Sequence, residues 1–491
     1  METVYGIDLG TTQSCIARID KFEQAEVLPN FEGKQTTPSV VYYDTATNDV
    51  IVGNVAKESW FGVKPENTVA FIKREMPNTN YKRKIGNTQL SPINVSSNIL
   101  KKMVADANTK LKNDNLPPVT KAVITIPAYF GDLERRRTME AGKEAGIEVL
   151  ELINEPVAAA LSYSAKQIGN KTFLTYDLGG GTFDVSIIKK QGKDVNVECF
   201  DGDKLLGGVD WDRVLANMAL SESGIDRKIE DIEETPDGSQ LLLEAEKCKI
   251  SLTTTQSAML SFIYNGQRYT PMIQRADLEG ETKSLLNKTE QIIDRAIQSA
   301  KIQYSDIDEI VMVGGSSRMP MVLNMLKRKF NKEPKLVEPD LAVAKGAAIH
   351  AHNIISGKAG NITNVPQLKN NKLSKSYGTR THNRAIPNEP AMIFNFIYKN
   401  DSIPISRKPH PLCTRDENQN SVGIEILEND SNKEWEELNK GNSIINKKIE
   451  WGYPVPKGTS INIFVEVDEN GILNVKAECQ GKEIEMIIET K

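Results

Sequence analysis

An aspartate followed by leucine, glycine and small hydroxyl residues occurs twice in this chain, as Asp8-Leu-Gly-Thr-Thr12 and as Asp177-Leu-Gly-Gly-Gly-Thr182. Each copy follows a short apolar run and precedes a second one, Cys15 to Ile19 and Val185 to Ile188. That spacing predicts two β-hairpins, each with a polar turn poor in side chains. Glycine lets backbone N–H groups approach and surround an anion. An aspartate beside such a loop repels a bare phosphate, so the pairing makes sense with a cation between them. Two equivalent loops point to two related halves gripping one metal-bound nucleotide from opposite sides.

Other residues add to this chemistry. Ile307 to Val313 reads as a strand, followed by Gly314-Gly-Ser-Ser-Arg-Met-Pro320 and a helix, so a third glycine turn can bring backbone to a ligand. Lys73 follows Phe71-Ile72 and precedes Met76-Pro77. A lone lysine is by default solvated, but this setting can aim it from a buried edge into a cleft. Glu155 stands just before Pro156 at a helix start, where its plain role is to complement the helix dipole. Asp8 and Asp177 can hold a hydrated magnesium ion, which keeps most of its waters. The loops with Thr11, Thr12, Gly179, Gly180, Gly181, Thr182, Gly314 and Gly315 can hold phosphates. A lysine can neutralise the terminal phosphoryl group and a carboxylate can orient the attacking water. Any one of these is weak; the repeated loops with the third glycine turn point to ATP.

The elements that must carry these residues alternate strand and helix up to about residue 355. Ser96 to Leu111 has apolar residues at helical spacing. Lys121 to Ile126 is a buried-type strand stopping at Pro127, and Asp132 can cap a helix through about Ala145. Ile147 to Ile153 is a strand, Leu205 to Asp212 a glycine turn entering a helix, Leu241 to Lys249 a helix, and Asp340 to Ala351 an alanine-rich helix. Residues 54–76 read as a helix followed by an irregular piece. Residues 357–385 are rich in Gly, Asn, Lys, Ser and Thr with little apolar periodicity, which is linker composition. From residue 386 on the pattern is β: Ser421 to Leu427 and Ile461 to Val467 alternate, and Asp468-Glu-Asn-Gly471 turns the second into a return strand. A small antiparallel sandwich fits.

Composition removes several classes. A net charge of −5 gives no case for non-specific nucleic-acid binding. No apolar run approaches a membrane span, and residue 1 leads straight into a motif-bearing strand, so no signal peptide is expected. The five cysteines form no metal-ligand spacing and the four histidines do not join them. A reducing cytoplasm with free thiols follows.

Residues 1 to about 355 resemble the nucleotide-binding domain of the heat shock protein 70 chaperones, within the actin and sugar-kinase superfamily. The resemblance rests on Gly6-Ile-Asp-Leu-Gly-Thr-Thr-Gln-Ser-Cys15, Ala122 to Phe130, Ile153-Asn-Glu-Pro-Val-Ala-Ala-Ala160, Tyr176 to Asp184 and Val313-Gly-Gly-Ser-Ser-Arg-Met-Pro320. It implies a two-lobed α/β actin-like ATPase of duplicated ribonuclease-H-like subdomains over 1–356. A divergent connection over 357–385 and a substrate-binding-like β-sandwich over 386–491 follow. It implies that Asp8 and Asp177 hold magnesium through water and that Glu155 orients its hydration shell. Lys73 contacts the terminal phosphate and the attacking water, and Gly10, Thr11, Thr12 and Gly179 to Thr182 bind phosphate, so that Lys73, Glu155, Asp177 and Thr182 form the catalytic set. Glu246, Lys249 and Thr253 fall beside the adenosine, with Gly314, Gly315, Ser316 and Arg318 across from them, and Gly208 is a further nucleotide-binding position. Potassium is a further candidate ion. Thr253 stands where the family usually has serine, and Ile250 where eukaryotic members have arginine. Pro127 and Arg135 match the switch between nucleotide state and the second domain.

In the second domain, Leu412, Val422 and Ile424 keep the apolar character of a pocket for extended peptide. The family's acidic-leucine linker is missing from Asn361 to Ser376, Thr379, His382 and Arg415 replace apolar or small residues that line and arch over the peptide, and no helical lid follows the sandwich. The implied function is an ATP-dependent chaperone for unfolded polypeptide, with a J-domain co-chaperone and a nucleotide-exchange factor as candidate partners. The competing expectation is an ATP-binding holdase or exchange-type co-chaperone with little hydrolysis. A small-molecule kinase of the same superfamily leaves the chain from residue 386 on unexplained.

Overall fold

The structure is a computed structural model that describes residues 3–359, 365–382, 390–479 and 481–486. Parts of the expected connection (360–364 and 383–385), the start of the expected sandwich (386–389), and residues 480 and 487–491 lie outside the described residues. The chain divides into two compact units, Met1–Ala128 with Arg137–Lys369, and Tyr129–Arg136 with Asn370–Lys491.

Two mixed sheets of one design organise the first unit. In the first, β1 (Tyr5–Asp8), β2 (Gln13–Ile19), β3 (Ala25–Leu28), β4 (Lys121–Ile126) and β5 (Glu148–Asn154) lie in the order β5-β4-β1-β2-β3. β1 is antiparallel to β2 and parallel to β4. In the second, β6 (Lys171–Leu178), β7 (Phe183–Gln191), β8 (Asp194–Asp203), β9 (Glu309–Val313) and β10 (Lys335–Leu336) lie in the order β10-β9-β6-β7-β8. β6 is antiparallel to β7 and parallel to β9. Each sheet thus has a central hairpin whose first strand also carries a parallel neighbour. Strands in that position are buried on both faces and read as continuous apolar runs; Phe173, Leu174, Tyr176 and Leu178 of β6 are all fully buried. Pairing of Asp8 with Cys15 and of Asp177 with Asp184 puts the two aspartates at equivalent ends of their hairpins.

Four helices matter to the site: α1 (Glu155–Ser164), α2 (Gly208–Glu222), α3 (Pro236–Leu252) and α4 (Ala342–Lys358). One face of α4 sets Ala344 and Ala348 against Cys15 and Ala17 of β2. Another sets Ala342, Val343, Ala347 and Ala351 among residues 157–161 of α1. A Cβ on Gly6 of β1 would lie 2.0 Å from Ala348 N, and one on Gly346 would lie 1.7 Å from Ala158 O. The main chains therefore touch with no side chain between them. Helices also form at Pro92–Asn113 and Asp132–Glu144, as the apolar spacing of the first and the Asp132 cap of the second predict. The helix expected near residue 54 is only the short turn Ala56–Trp60, followed by Pro65–Asn67 and Ile72–Glu75; Phe71 is left-handed (φ 57°) and turns the chain between them. Among the described residues no helix is long and apolar enough to cross a membrane.

The second unit contains two antiparallel sheets. Strands β11 (Gln367–Lys372) and β12 (Ser376–Thr381) fall in the stretch with linker composition. β11 escapes a periodicity search because polar residues hold it by backbone bonds, Gln367 N to Lys193 O (2.9 Å) at its first-unit end and Asn371 opposite Ile403 at the other. β12 escapes it because Tyr377 is its one large apolar residue, the strand being held between β13 and β15. Further on come β13 (Met392–Ile397), β14 (Ile405–Cys413), β15 (Gln419–Asn429), β16 (Asn442–Val455), β17 (Ser460–Val467) and β18 (Leu473–Cys479). One sheet runs β13-β12-β15-β16 and the other starts β14-β17-β18. Their inner faces enclose Tyr377, Ile426, Ile449, Ile463, Val465 and Val475. The turn after β17 is closed by Gly471 N to Asp468 O (3.0 Å), with Gly471 at φ 73°. The segment Tyr129–Arg136 belongs to this unit: Ser374 Oγ donates to Phe130 O (2.7 Å) and Arg135 to Asn470 O (2.7 Å). Asp132, expected as a helix cap, accepts the N–H of Leu473 (2.6 Å) and the Nε of Arg136 (2.6 Å).

Candidate active site

The three glycine turns singled out in the sequence meet at one cleft of about 430 Å³ in the first unit. The end of β1 supplies Asp8, Gly10, Thr11 and Thr12; the end of β6 supplies Asp177, Gly179, Gly180 and Thr182; the turn after β9 supplies Gly314, Gly315, Ser316 and Arg318. The first two turns interlock: a Cβ on Gly180 would lie 2.3 Å from Thr12 Cγ2, and one on Gly181 would lie 2.3 Å from Thr11 Cγ2. A larger residue at either place would fill the cradle.

Charge is concentrated on the floor. Glu155, the first residue of α1, forms a buried ion pair with Lys73. Burial pushes the Asp8 carboxyl up to about 7, helped by the charge of Glu155 and opposed by Lys73 and by the hydroxyl of Thr125, which donates to it at 2.9 Å. Asp177 is raised well above the usual carboxylate range, first by burial and then by Glu155, Asp184 and Asp8. Glu155 and Asp177, both buried, and the partly exposed Asp8 thus share the ammonium of Lys73. Taking such charges out of water is costly, and a cation between them would relieve the excess. Among the described residues no group of three or more His, Cys, Asp or Glu forms a ligand cluster. A magnesium ion at Asp8 and Asp177 would keep most of its waters.

Helix α3 and the residue that follows it line another part of the cleft with Glu246, Lys249, Ile250 and Thr253, whose spacing puts them on one face. Val40, Leu242, Leu243, Met319 and Val343 add apolar surface. Lys249 turns back to hold Gly208 O (2.9 Å) and Asp212 (2.8 Å). Burial pushes Asp212 up to about 6 despite Lys249. Glu246 pairs with Lys57 at 2.6 Å. The hydroxyl of Thr253 donates to Ile250 O (2.6 Å), and Arg318 forks onto Asp340 at 3.0 and 2.6 Å.

Lys73, Gly181 and Gly208 stand behind this lining rather than in it. Lys73 reaches the floor through Glu155. Gly181 packs against Gly207, and a Cβ on Gly208 would meet Ser316 Oγ at 2.2 Å. Pro127 follows β4 in the first unit, and Arg135 is buried in the second. Ile424 lies inside the sandwich core, with Leu412 and Val422 partly exposed against it. Thr379 is buried and donates to Glu425 O (2.9 Å). Sequence reading missed Lys57, Arg74, Asp212 and Asp340. Asp212 had a signal, being the second aspartate after the Gly207-Gly208 turn; the others are ordinary charged residues whose partners lie far along the chain.

Two like hairpins holding glycine turns over a lysine and buried carboxylates define a nucleotide-binding unit equipped for phosphoryl transfer. The model of the Hsp70 protein family matches residues 4–491. Chaperone protein DnaK of Thermotoga neapolitana is 37% identical over 500 residues, covering 99% of this chain and 80% of that protein. The chain belongs to the Hsp70 family, and with it to the ATP-dependent chaperones that hydrolyse ATP.

Proposed function

We propose that the first unit acts as two actin-like, ribonuclease-H-like lobes that close on magnesium-ATP, and that Lys73, Glu155, Asp177 and Thr182 direct a water at the terminal phosphate. The shared design of the two sheets supports the lobes, each with its antiparallel hairpin and parallel neighbour. Asp8 and Asp177 are the residues that would hold magnesium, and the ion would supply charge neutralisation at the phosphoryl oxygens. Thr11, Thr12, Thr182 and the glycine amides bind phosphate oxygens; Lys73 carries the positive charge nearest the transferred group, and Glu155 holds its amine in place. The adenosine lies between the face of α3 and the Gly314–Arg318 turn. Potassium is an additional candidate beside magnesium.

The limits expected from sequence are 1–356, 357–385 and 386–491. Because Ser376–Thr381 is an interior strand of a sandwich sheet and the second compact unit takes in Asn370–Lys491, the functional boundary proposed here moves to about residue 370. The sandwich binds extended segments of unfolded polypeptide at Leu412 and Val422, with Ile424 as their support. Arg415 NH1 lies 2.9 Å from His382 Nε2, so a polar bridge stands where the resemblance implies an apolar arch. Pro127 and Arg135 couple nucleotide state to this unit; the chain leaves the first unit after Ala128 and returns to it at Arg137. A J-domain protein and a nucleotide-exchange factor serve as partners in the cytoplasm.

The observation that carries the reading is the buried Lys73–Glu155 ion pair beside Asp8 and the buried Asp177. Single-turnover ATP hydrolysis tests it: Lys73→Ala should slow the step about 10²-fold or more while ATP still binds. A variant as fast as the parent chain would remove the proposed role.

A further inference from the structure

Arg74 shares the short helical turn Ile72–Glu75 with Lys73 but serves different partners. Its Nε donates to Gly181 O at 2.9 Å, and its two terminal nitrogens fork onto Asp210 at 3.2 and 2.6 Å. The Arg74 side chain is nine-tenths buried. Asp210 is fixed in turn, because its Oδ2 also accepts Gly207 N at 2.8 Å at the start of α2.

These bonds complete a set. Gly208 N donates to Gly179 O (2.9 Å) and Val209 N to Gly180 O (2.8 Å). The carbonyls of Gly179, Gly180 and Gly181 are therefore all held, the first two by the backbone at the start of α2 and the third by a side chain from beyond the first sheet's hairpin. Gly179 N is held by Thr182 O (3.1 Å), so a loop whose carbonyls are tied back offers the amides of Gly180 and Gly181 to an anion. Arg74 is the one tie that comes from the turn bearing Lys73.

We propose that Arg74 is a positioning residue for ATP hydrolysis. It clasps the Gly179–Gly181 loop and Asp210 to the Lys73 turn, so that the loop amides and the Lys73 amine reach the same phosphoryl group together. This rests on the proposed role of Lys73. The guanidinium touches no reacting atom; it acts through Gly181 and through the turn it shares with Lys73. A planar fork suits the task, since it holds two oxygens of one carboxylate and a carbonyl at once.

The test uses the full chain and the variants Arg74→Ala, Arg74→Lys, Asp210→Asn and the double variant Arg74→Ala/Asp210→Asn. Asp210→Asn keeps an acceptor for Gly207 N while removing the charge. ATP affinity and the single-turnover rate are measured separately. A displacement of about an ångström at the reacting groups costs about 10²-fold in rate. Arg74→Ala should therefore slow hydrolysis by between about tenfold and 10²-fold, with ATP affinity changed by less than about threefold. Arg74→Lys should recover part of the rate, and the double variant should be no slower than the worse single one, because both remove one clasp. An unchanged rate, an equal loss of rate and affinity, or losses that multiply would overturn the proposal. If Arg74→Ala fails to melt cooperatively, Arg74→Lys and Asp210→Asn carry the same comparison. A Lys73→Ala variant that hydrolyses normally would sink the role of Lys73, whereas a normal Arg74→Ala beside a slow Lys73→Ala would sink the clasp alone.

Discussion

Replacing Gly346 of α4 by alanine should damage hydrolysis through α1, the neighbouring helix that carries Glu155. Alanine is the better helix former by about 1 kcal/mol, so by propensity alone the change at this mid-α4 position should stabilise. The structure predicts the opposite. The new Cβ would stand 1.7 Å from Ala158 O, whereas real Cβ contacts do not fall below 3.0 Å. The obstacle is backbone, so no rotamer change relieves it, and α4 and α1 must separate by about 1.3 Å at the crossing. Overpacking of a tight interior costs about 1–3 kcal/mol, which exceeds the propensity gain or nearly cancels it. The kinetic effect should be larger. Ala158 lies three residues after Glu155, so a shift of α1 moves the carboxylate that holds Lys73. A misplacement of that size predicts a rate loss on the order of 10²-fold. Denaturant unfolding and single-turnover hydrolysis on the same preparation are the assays. A variant more stable by about 1 kcal/mol with an unchanged rate would match propensity alone and refute the backbone-contact argument.

Lys57→Ala removes the partly buried pair with Glu246 at the mouth of the cleft; at about 1 kcal/mol, ADP should leave about fivefold faster in a stopped-flow chase, and an unchanged rate would mean the pair does not restrain the nucleotide. Glu309 supplies a pH test. Burial alone would raise its carboxyl, but hydrogen bonds from Lys171, Tyr163 and Lys335 hold it near about 2 against an ordinary 4.5. Its stabilisation is therefore present above pH 4.5 and lost as pH falls from 4.5 toward 2, and Glu309→Gln should flatten acid unfolding in that window. In the second unit, Arg415→Ala breaks the contact with His382. Apolar peptides should then bind several-fold tighter by fluorescence anisotropy, because no charge has to be desolvated over Leu412 and Val422; equal affinity would show that the bridge does not face the peptide.

The residues that could be read from the sequence were those whose function requires a local pattern. Asp8 and Asp177 announced themselves because a hairpin, a glycine turn and a carboxylate must be adjacent in the chain to build a phosphate loop. The sandwich strands β15 and β17 were legible through alternation, since one face of each meets a core. Strand β11 was not, because backbone pairing at Lys193 and Ile403 needs no apolar side chain; nor was β12, whose one large apolar residue, Tyr377, makes no alternating pattern. Arg74 could not be read at all: its partners lie 107 and 136 residues away, and nothing in an arginine's own neighbourhood says which carboxylate the fold will bring to it. Thr253, expected at the adenosine, lines the cleft; its hydroxyl donates to the carbonyl of Ile250 three residues earlier, a local bond open to any threonine at a helix end, and its oxygen can still accept from a ligand.

The seam where α4 meets β1 and α1 has a mechanical meaning. At Gly6 and Gly346 the load passes from one main chain to another, and main chains have no rotamers with which to absorb a displacement. Such a joint behaves as a gear tooth rather than a spring: whatever rotates α4 rotates the strand of Asp8 and the helix of Glu155 with it. Residues with no side chain or a single methyl set that stiffness, so substitutions there act on alignment and leave the chemical inventory of the site untouched.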